Sequence, residues 1–264
     1  MELIGDARIV LLGEASHGTH EFTPSARQSR NVCRGTGGTH KHLGGGRIAS
    51  VTMNEVHIPA GRATLAGNLN IPVNAPALVV FAHGSGSSRH SPRNQFVART
   101  LNDTGLATLL FDLLTPEEEL VDTRTAELRF DIDLLAKRLV HATKWTKRQE
   151  QTRDLRIGYF GSSTGGGAAL VAAAQLPDDV DAVVSRGGRP DLAGAALPKV
   201  QAPTLLIVGG QDDIVIELNE QARDQMRCQV KLKIIPGATH LFEEPGALEQ
   251  IAKLASDWFR DPIT

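Results

Sequence analysis

Hydrophobic and polar positions follow two periods between residues 48 and 264, and together they predict a sheet covered by helices. Continuous apolar runs, typical of buried strands, occur at residues 76–84 and 106–114, and four further strands are predicted at residues 155–161, 180–188, 203–210 and 230–237. Two strands joined by a tight turn are predicted ahead of them, at residues 50–58 and 63–71. Helical spacing is found at residues 93–105, 129–146, 164–176, 219–227 and 247–259. This alternation predicts an α/β fold with a mostly parallel sheet and helices on both faces.

The first 47 residues interrupt this pattern. Residues 25–47 contain six glycines, very few apolar side chains and no acidic residue. Such a composition cannot bury enough surface to fold, so a solvated basic linker is predicted, with a nucleic-acid or membrane contact as the alternative. Residues 1–24 hold one apolar run, Ile9–Leu12, which is too little for a domain. We therefore expect a fragment at residues 1–24, a linker at residues 25–47 and a single domain at residues 48–264.

Composition narrows the classes of partner. The chain has 28 basic and 30 acidic residues, a net charge of −2, so no global basic surface is available for nucleic acid. Two cysteines in 264 residues indicate neither a disulfide framework nor a cysteine-based zinc site. The sequence has no long apolar run for a membrane span and no signal-peptide pattern at its start. A cytoplasmic protein without nucleic-acid or membrane partners is expected; the oligomeric state stays open, with a homodimer as one alternative.

Reactive residues are expected at the carboxyl ends of the parallel strands, where the active sites of such sheets lie. The sequence Gly161-Ser162-Ser163-Thr164-Gly165 joins a predicted strand to a predicted helix. This G-x-S-x-G turn is tight, so its flanking positions must be small, and it holds Ser163 at the apex. We interpret Ser163 as a nucleophile and the Thr164 N–H as an oxyanion donor. The alternative is a glycine-rich turn with an incidental serine.

A nucleophilic serine needs a histidine base and an acid that orients it, and in this type of fold they follow in the order serine, acid, histidine. Asp212 and Asp213 follow the predicted strand at residues 203–210, and His240 follows the strand at residues 230–237. Asp212 is preferred as the acid because it comes first, with Asp213 as the fallback. One of the two is expected to cap the next helix. The alternative for His240 is a histidine in an ordinary turn.

The second oxyanion donor is expected from the loop that follows the third strand, residues 83–94. Its small residues let the backbone approach a substrate carbonyl. We assign the donor to Ser85, with Gly86 as the alternative and as a candidate substrate contact. His83 is expected to be structural, with its ring hydrogen-bonded to the loop. No role is assigned to the remaining histidines of this part of the chain, His57, His90 and His141.

Four stretches of the chain together carry a family resemblance: FAHGSGSSRHSPRN, GYFGSSTGGGAA, LLIVGGQDD and PGATHLFEEPG. With them, the chain from about residue 50 onward resembles the α/β-hydrolase superfamily, and within it the dienelactone-hydrolase-like branch. The resemblance implies the α/β-hydrolase fold, and it supports Asp212 because the acid usually stands three residues before a valine or similar residue, here Val215. Two features depart from dienelactone hydrolase itself. Ser163 replaces its cysteine nucleophile, and the oxyanion loop lacks its glutamate, so a general serine esterase is favoured.

The N-terminal stretch carries a second resemblance. Residues 2–22 resemble the start of the erythromycin-esterase-like family, whose GEASHGT motif supplies a catalytic glutamate and histidine, here Glu14 and His17. The resemblance stops near Phe22, and one strand with one turn cannot build that site. The stretch is therefore interpreted as the remnant of a fused or rearranged neighbour. Independent catalysis there, or a metal held by Glu14, His17 and His20, is the alternative.

These residues together predict a serine carboxylesterase that acts on a small-molecule ester and needs no metal or organic cofactor. Only residues 189–202 separate two strands on the site side, so no large cap domain is expected. Aromatic residues make up 4% of the chain, which also favours short-acyl esters over long lipids. The alternatives are a thioesterase, a peptidase or a dienelactone-type lactone hydrolase on the same triad, and a non-catalytic binding module.

Two further features of the sequence have open interpretations. Arg186 and Arg189 follow a strand on the site side. Arg186 is a candidate contact for an anionic substrate group, and a salt bridge or a solvated loop is the alternative for both arginines. Residues 115–120, with three successive glutamates, are predicted as a solvated loop or the start of a helix.

Overall fold

The computed structural model describes residues 53–260, which form a mostly parallel sheet of eight strands. The strands are β1 (Met53–Ala60), β2 (Ala63–Asn70), β3 (Ala77–Ala82), β4 (Ala107–Phe111), β5 (Arg156–Ser162), β6 (Val180–Arg186), β7 (Thr204–Gly209) and β8 (Val230–Ile235). Their order in the sheet is β1-β2-β4-β3-β5-β6-β7-β8. The eight predicted strands and the predicted α/β-hydrolase fold are confirmed. The predictions for residues 1–47 lie outside the described residues.

Six α-helices accompany the sheet in this part of the chain. They are α1 (Pro92–Asp103), α2 (Pro116–Thr125), α3 (Ile132–Thr146), α4 (Thr164–Gln175), α5 (Asp213–Gln225) and α6 (Ala247–Arg260). Short 3₁₀ segments occur at Leu128–Phe130 and Pro190–Lys199. The five predicted helices are therefore all present, and α2 is added to them. No helix of the described residues is both long and apolar enough to cross a membrane.

Helix α2 starts within the segment that the sequence left open between a loop and a helix. The Thr115 hydroxyl accepts a hydrogen bond from the Glu118 N–H at 3.2 Å. The Glu118 carboxylate in turn accepts one from the Thr115 N–H at 2.8 Å. This reciprocal capping box satisfies two N–H groups at the helix start that have no partner within the helix. The helix therefore begins at Pro116, where the fixed φ of proline suits the first turn.

Helix α5 begins at Asp213, well before the predicted start at Asn219. Its buried positions are Val215, Asn219 and Ala222, which share one face of the helix. A polar residue in the middle of this stripe hides the helical period in the sequence. The Asn219 side-chain NH₂ donates to the carbonyls of Gly188 (3.0 Å) and Val215 (2.7 Å), whereas its Oδ1 is buried and accepts no hydrogen bond within the described residues.

The core has two layers, one on each face of the sheet. Strands β3 and β7 are buried along their whole length, as expected of central parallel strands. In β3, Leu78 and Val80 pack into the layer that contains α3 and α4, while Val79 and Phe81 pack into the layer that contains α1 and α6. Because neighbouring side chains of a strand point to opposite faces, one continuous apolar run fills both layers.

The parallel strands bring their carboxyl ends to one edge of the sheet. In the register of the sheet, Ala82 of β3 lies beside Gly161 of β5, and Ser162 lies beside Arg186 of β6. The ends of β7 and β8 meet in the same way at Gly209 and Ile235. The loops that carry the predicted site residues therefore leave the sheet at the same edge.

Candidate active site

The turn that carries Ser163 is strained and tightly enclosed. Ser163 has φ +50° and ψ −123°, a conformation that residues with a side chain rarely adopt. A Cβ at Gly161 would lie 2.6 Å from the Gly165 carbonyl oxygen, and a Cβ at Gly165 would lie 2.2 Å from the Ala82 carbonyl oxygen. Only glycine fits at either position, so the G-x-S-x-G pattern is imposed by backbone packing around the serine.

The two adjacent serines of this turn have different surroundings. Ser162 is buried, and its hydroxyl donates to the Asn94 side chain at 3.3 Å. Ser163 is only partly buried, and its hydroxyl makes no hydrogen bond within residues 53–260. The Ser163 hydroxyl is thus free of structural hydrogen bonds within the described residues, as a nucleophile needs, whereas the Ser162 hydroxyl makes a structural contact.

The structure brings Asp212 and His240 together. Nδ1 of His240 lies 2.6 Å from Oδ2 of Asp212, and the two side chains are 25% and 11% exposed. Two backbone hydrogen bonds join the loops that carry these residues. The Gly210 N–H donates to the Ile235 carbonyl (2.8 Å), and the Gln211 N–H donates to the Ala238 carbonyl (2.9 Å). Because Asp212 accepts the Nδ1 proton, Nε2 remains for the serine proton.

Asp213 has a different position from Asp212. It is exposed on the first turn of α5, where a carboxylate favours the positive end of the helix dipole. The expectation that one of the two aspartates is the N-cap of this helix is confirmed for its position. Asp212 occupies the N-cap position, but its side chain makes no capping hydrogen bond. The carboxylate is directed to His240 instead.

His240 also lies near the serine turn. A Cβ at Gly187 would lie 3.6 Å from Cε1 of His240. The backbone carbonyl of the preceding residue, Arg186, accepts a hydrogen bond from the Ser163 N–H at 3.3 Å. No hydrogen bond joins the Ser163 hydroxyl to His240 within the described residues. Catalytic hydrogen bonds are often long in ligand-free enzymes and shorten when substrate binds.

The oxyanion loop, which we define as residues 83–87, packs directly against the serine turn. A Cβ at Gly84 would lie 3.0 Å from that of Ser163, and the Ser85 hydroxyl lies 3.3 Å from the Thr164 hydroxyl. The N–H groups of Ser85, Gly86 and Thr164 make no hydrogen bond within residues 53–260. Unpaired N–H groups on both sides of Ser163 are what an oxyanion hole requires. Whether Ser85 or Gly86 supplies the second donor stays a prediction.

His83 holds this loop against β4, in line with its expected structural role. Its Nε2 accepts a hydrogen bond from the Leu113 N–H at 3.0 Å. The ring proton therefore resides on Nδ1, which donates to the Gly84 carbonyl at 3.0 Å. Burial lowers the pKa of His83, and the Gly84 carbonyl and the Asp112 carboxylate oppose this effect. His83 is thus a neutral link between the loop and β4.

The two arginines that follow the site side of β6 have separate surroundings. Arg189 forms a two-pronged ion pair with Asp191, with nitrogen–oxygen distances of 2.8 and 2.7 Å, and this partner raises the pKa of Arg189. Arg186 is buried, with its guanidinium 5.9 Å from the centre of the Phe242 ring. The salt bridge considered for these residues therefore exists at Arg189, and a substrate contact by Arg186 stays a prediction. His57, His90 and His141 are exposed.

Helix α2 and the segment after it contribute three charged side chains that the sequence did not single out. Glu119, Asp122 and Arg129 line a small cavity together with residues of the oxyanion loop and Thr164. The capping box of α2 is the local signal that could have placed Glu119 on a helix. Nothing in the sequence indicated that this helix lies beside the oxyanion loop. Within residues 53–260, no group of three or more histidine, cysteine or acidic side chains is arranged to hold a metal ion.

Comparisons with known proteins identify relatives of this chain. The model of the dienelactone hydrolase family matches residues 63–260. A crystal structure of dienelactone hydrolase from Anabaena variabilis is 61% identical, with a TM-score of 0.79, and the match covers 80% of this chain and 97% of that one. Est1E from Butyrivibrio proteoclasticus is 19% identical with a TM-score of 0.66, and the match covers 79% of this chain and 98% of that one, which shows a shared fold.

Two Mycobacterium tuberculosis proteins, each named as a phosphoribosyl transferase, are 59% identical to this chain over 209 residues. The match covers 79% of this chain and 46% of each relative, so the chain spans about half the length of the curated relatives it matches. Their name therefore describes proteins with a large part that this chain does not match. The family match includes all residues of the site described above. The chain belongs to the dienelactone hydrolase family of the α/β-hydrolase superfamily, a family of hydrolytic enzymes.

Proposed function

We propose that this protein is a serine carboxylesterase that hydrolyses small, short-acyl esters. The observation that carries the proposal is the hydrogen bond between Asp212 and His240, on loops that leave the sheet beside the strained Ser163 turn. This is the arrangement in which a serine hydroxyl becomes nucleophilic at neutral pH.

The reaction follows from the roles of these groups. His240 removes the Ser163 proton as the oxygen attacks the ester carbonyl. Asp212 holds the imidazole in the correct tautomer and stabilises its positive charge. The N–H of Thr164 and that of Ser85 or Gly86 hold the oxyanion, at about 3 kcal/mol for each donor. His240 then protonates the leaving alcohol, and water cleaves the acyl-enzyme by the same route.

The surroundings of the site favour a small substrate. The segment between β6 and β7 is a short 3₁₀ stretch, Pro190–Lys199, rather than a cap domain. Neither cavity beside the oxyanion loop is lined by phenylalanine, tyrosine or tryptophan. A long acyl chain would therefore lack the extended apolar surface that binds lipids.

A lactone hydrolase is the second candidate, because the Anabaena relative that is 61% identical is named a dienelactone hydrolase. A lactone is a cyclic ester, so the same attack by Ser163 opens its ring and leaves the alcohol tethered to the acyl group. Thioesterase activity on the same triad and a non-catalytic binding role are further alternatives. A panel of simple esters, thioesters and lactones separates these candidates.

The test compares wild-type protein with the Ser163→Ala and Ser162→Ala variants on p-nitrophenyl acetate, butyrate and a long-chain ester. We expect the wild type to prefer the two short esters. Ser163→Ala should lower kcat/KM by roughly 10⁴-fold or more, since the nucleophile is lost. Ser162→Ala is the matched control: it removes a hydroxyl one residue away and should keep most of the activity. Equal activity in the wild type and Ser163→Ala would refute the proposal.

A further inference from the structure

Two cavities lie side by side next to the oxyanion loop. The smaller measures about 10 Å³, room for about one water-sized group, and its walls include Thr164, Glu119 and Arg129. The larger measures about 380 Å³, within the range of small-molecule pockets. The two cavities share part of their walls, including His83, Leu114 and Glu119. Glu119 is the acidic residue common to both.

The Glu119 carboxylate has no partner of its own. It is partly buried on α2 and makes no hydrogen bond or ion pair within residues 53–260. Burial raises the pKa of Glu119, Asp122 and Asp112 raise it further, and Arg129 opposes them. A carboxylate that is partly removed from water without a hydrogen-bond donor costs free energy. A donor supplied by a ligand would recover that cost.

The other charges that line the cavities are already paired. Arg129 donates from Nε to Asp122 at 2.6 Å and from its backbone N–H at 3.0 Å, and Asp122 is only 1% exposed. Arg89 forms an ion pair with Asp112 in the larger cavity. With His83 neutral and His57 exposed, Glu119 leaves one negative charge in excess. Such a site favours a hydroxyl or an ammonium group over a carboxylate.

The position of the cavities relative to the triad indicates which part of an ester reaches them. His240 must protonate the leaving alcohol, and it comes from β8, on one side of Ser163 in the sheet order. The smaller cavity lies at the ends of β3 and β4 and is bounded by the oxyanion loop, and the larger one extends from there to His57 of β1 and to Thr64 and Ala66 of β2. Both cavities are therefore on the other side of β5. A substrate with its alcohol near His240 and its carbonyl at the oxyanion loop therefore places its acyl chain towards Glu119.

We propose that the two cavities form the acyl subsite and that Glu119 determines its specificity, by accepting a hydrogen bond from a hydroxyl or ammonium group close to the ester carbonyl. The inference rests on the esterase function proposed above and names its substrate class: esters of short hydroxyacyl or aminoacyl groups. The small cavity sets the size of the donor, because it accommodates about one group of the size of water. The larger cavity takes the remainder of the chain.

The test measures kcat/KM for four ethyl esters at pH 7 by titration of the released acid. The esters are ethyl butanoate, ethyl 3-hydroxybutanoate, ethyl 3-aminobutanoate and the monoethyl ester of succinic acid. Wild-type protein should favour the hydroxy and amino esters over ethyl butanoate by about tenfold and should disfavour the succinate ester. Equal rates for the four esters would overturn the proposal.

Glu119→Gln should abolish the preference for the amino ester, a loss of about tenfold, while ethyl butanoate changes by less than about twofold. Glu127→Gln is the matched control, because it removes the same charge from an exposed side chain shortly after α2. A uniform loss on all four esters in Glu119→Gln would show a merely structural role and overturn the proposal. So would an equal effect of both variants.

Two more measurements complete the design. 2-Hydroxyethyl acetate differs from ethyl acetate by a hydroxyl group on the alcohol side of the ester. Glu119→Gln should leave the ratio of their kcat/KM values unchanged. A larger change in this ratio than in the acyl series would overturn the acyl assignment. Calorimetric binding of ethyl 3-aminobutanoate to Ser163→Ala protein, with and without Glu119→Gln, tests the subsite without catalysis. If no ester is hydrolysed, the esterase proposal fails. Weaker binding of ethyl 3-aminobutanoate to the Ser163→Ala, Glu119→Gln double variant than to Ser163→Ala would then still support the subsite. Equal binding to the two proteins would overturn the subsite.

Discussion

The two sides of Ser163 are built by different means. On the side of β6 to β8, short loops position the groups, and the backbone hydrogen bonds of Gly210 and Gln211 align Asp212 with His240. On the side of β3 and β4, long side chains determine the geometry. There Asp122 holds Arg129, and His83 links the oxyanion loop to β4. We call these the triad side and the cavity side.

This difference separates what chemistry needs from what selects a substrate. The triad side depends on loops that cannot move without breaking backbone hydrogen bonds, which suits groups that must stay within hydrogen-bond distance of each other. The cavity side depends on ion pairs between side chains of α2 and the segment after it. A cavity-side residue outside these ion pairs, such as Glu119, can change at little cost to the fold, so specificity can vary on this side while the chemistry is retained.

The largest expected effect is on the triad side. Asp212→Asn should lower kcat by roughly 10⁴-fold, because the amide no longer selects the tautomer of His240 or stabilises its charge. Asp213→Asn, on the exposed neighbouring residue, should leave kcat near the wild-type value. Steady-state kinetics on p-nitrophenyl butyrate measures both. A large loss of kcat in Asp213→Asn with little loss in Asp212→Asn would identify Asp213 as the acid. The contrast drawn between the triad side and the cavity side would then not hold.

The junction of the two sides gives the next effect. Gly165→Ala places a Cβ 2.2 Å from the Ala82 carbonyl oxygen and 2.5 Å from that of His83, so it should destabilise the protein by about 3 kcal/mol or more. Gly246→Ala has no atom within 4 Å of its new Cβ and should cost only about 1–2 kcal/mol for its positive φ. Chemical denaturation measures both. Equal losses would mean that backbone contact at the serine turn is not the constraint.

On the cavity side, Asp122→Asn removes the charge partner of Arg129. Because Asp122 is 1% exposed and Arg129 is 24% exposed, we expect a loss of about 2–3 kcal/mol, somewhat less than for a fully buried pair. Asp133→Asn changes an exposed carboxylate on α3 and should stay within about 0.5 kcal/mol of wild type. Denaturant titrations of both variants test this. A neutral Asp122→Asn would show that the ion pair does not order this side.

The smallest effect concerns pH. The pKa of His83 is lowered in the folded protein, so below the ordinary pKa of histidine the unfolded chain binds a proton that the folded one does not. Stability should therefore fall as the pH decreases from about 7 through the ordinary histidine value, by at most about 1.4 kcal/mol per pH unit from this group. His83→Gln should reduce this slope. Thermal unfolding between pH 7 and pH 5 measures the slope of stability against pH. Identical slopes in the wild type and His83→Gln would show that His83 does not contribute to the pH dependence.

The sequence by itself determined most of the triad side. Apolar runs located central strands such as β3, β4 and β7 because a strand buried on both faces has few polar positions. The G-x-S-x-G pattern located Ser163 because only glycine fits beside the Gly165 and Ala82 carbonyl oxygens. The order of serine, acid and histidine then followed from the order of the strands. These signals are local, so they can be read without knowledge of distant contacts.

Only the tertiary structure decided the rest. It showed which of two adjacent aspartates faces His240, because that depends on how the loops after β7 and β8 are joined. It also placed Glu119, which the sequence showed only as part of an acidic run, between two cavities next to the oxyanion loop. Both outcomes depend on contacts between segments that are far apart in the chain, so the sequence favoured Asp212 only as a preference and did not indicate the position of Glu119.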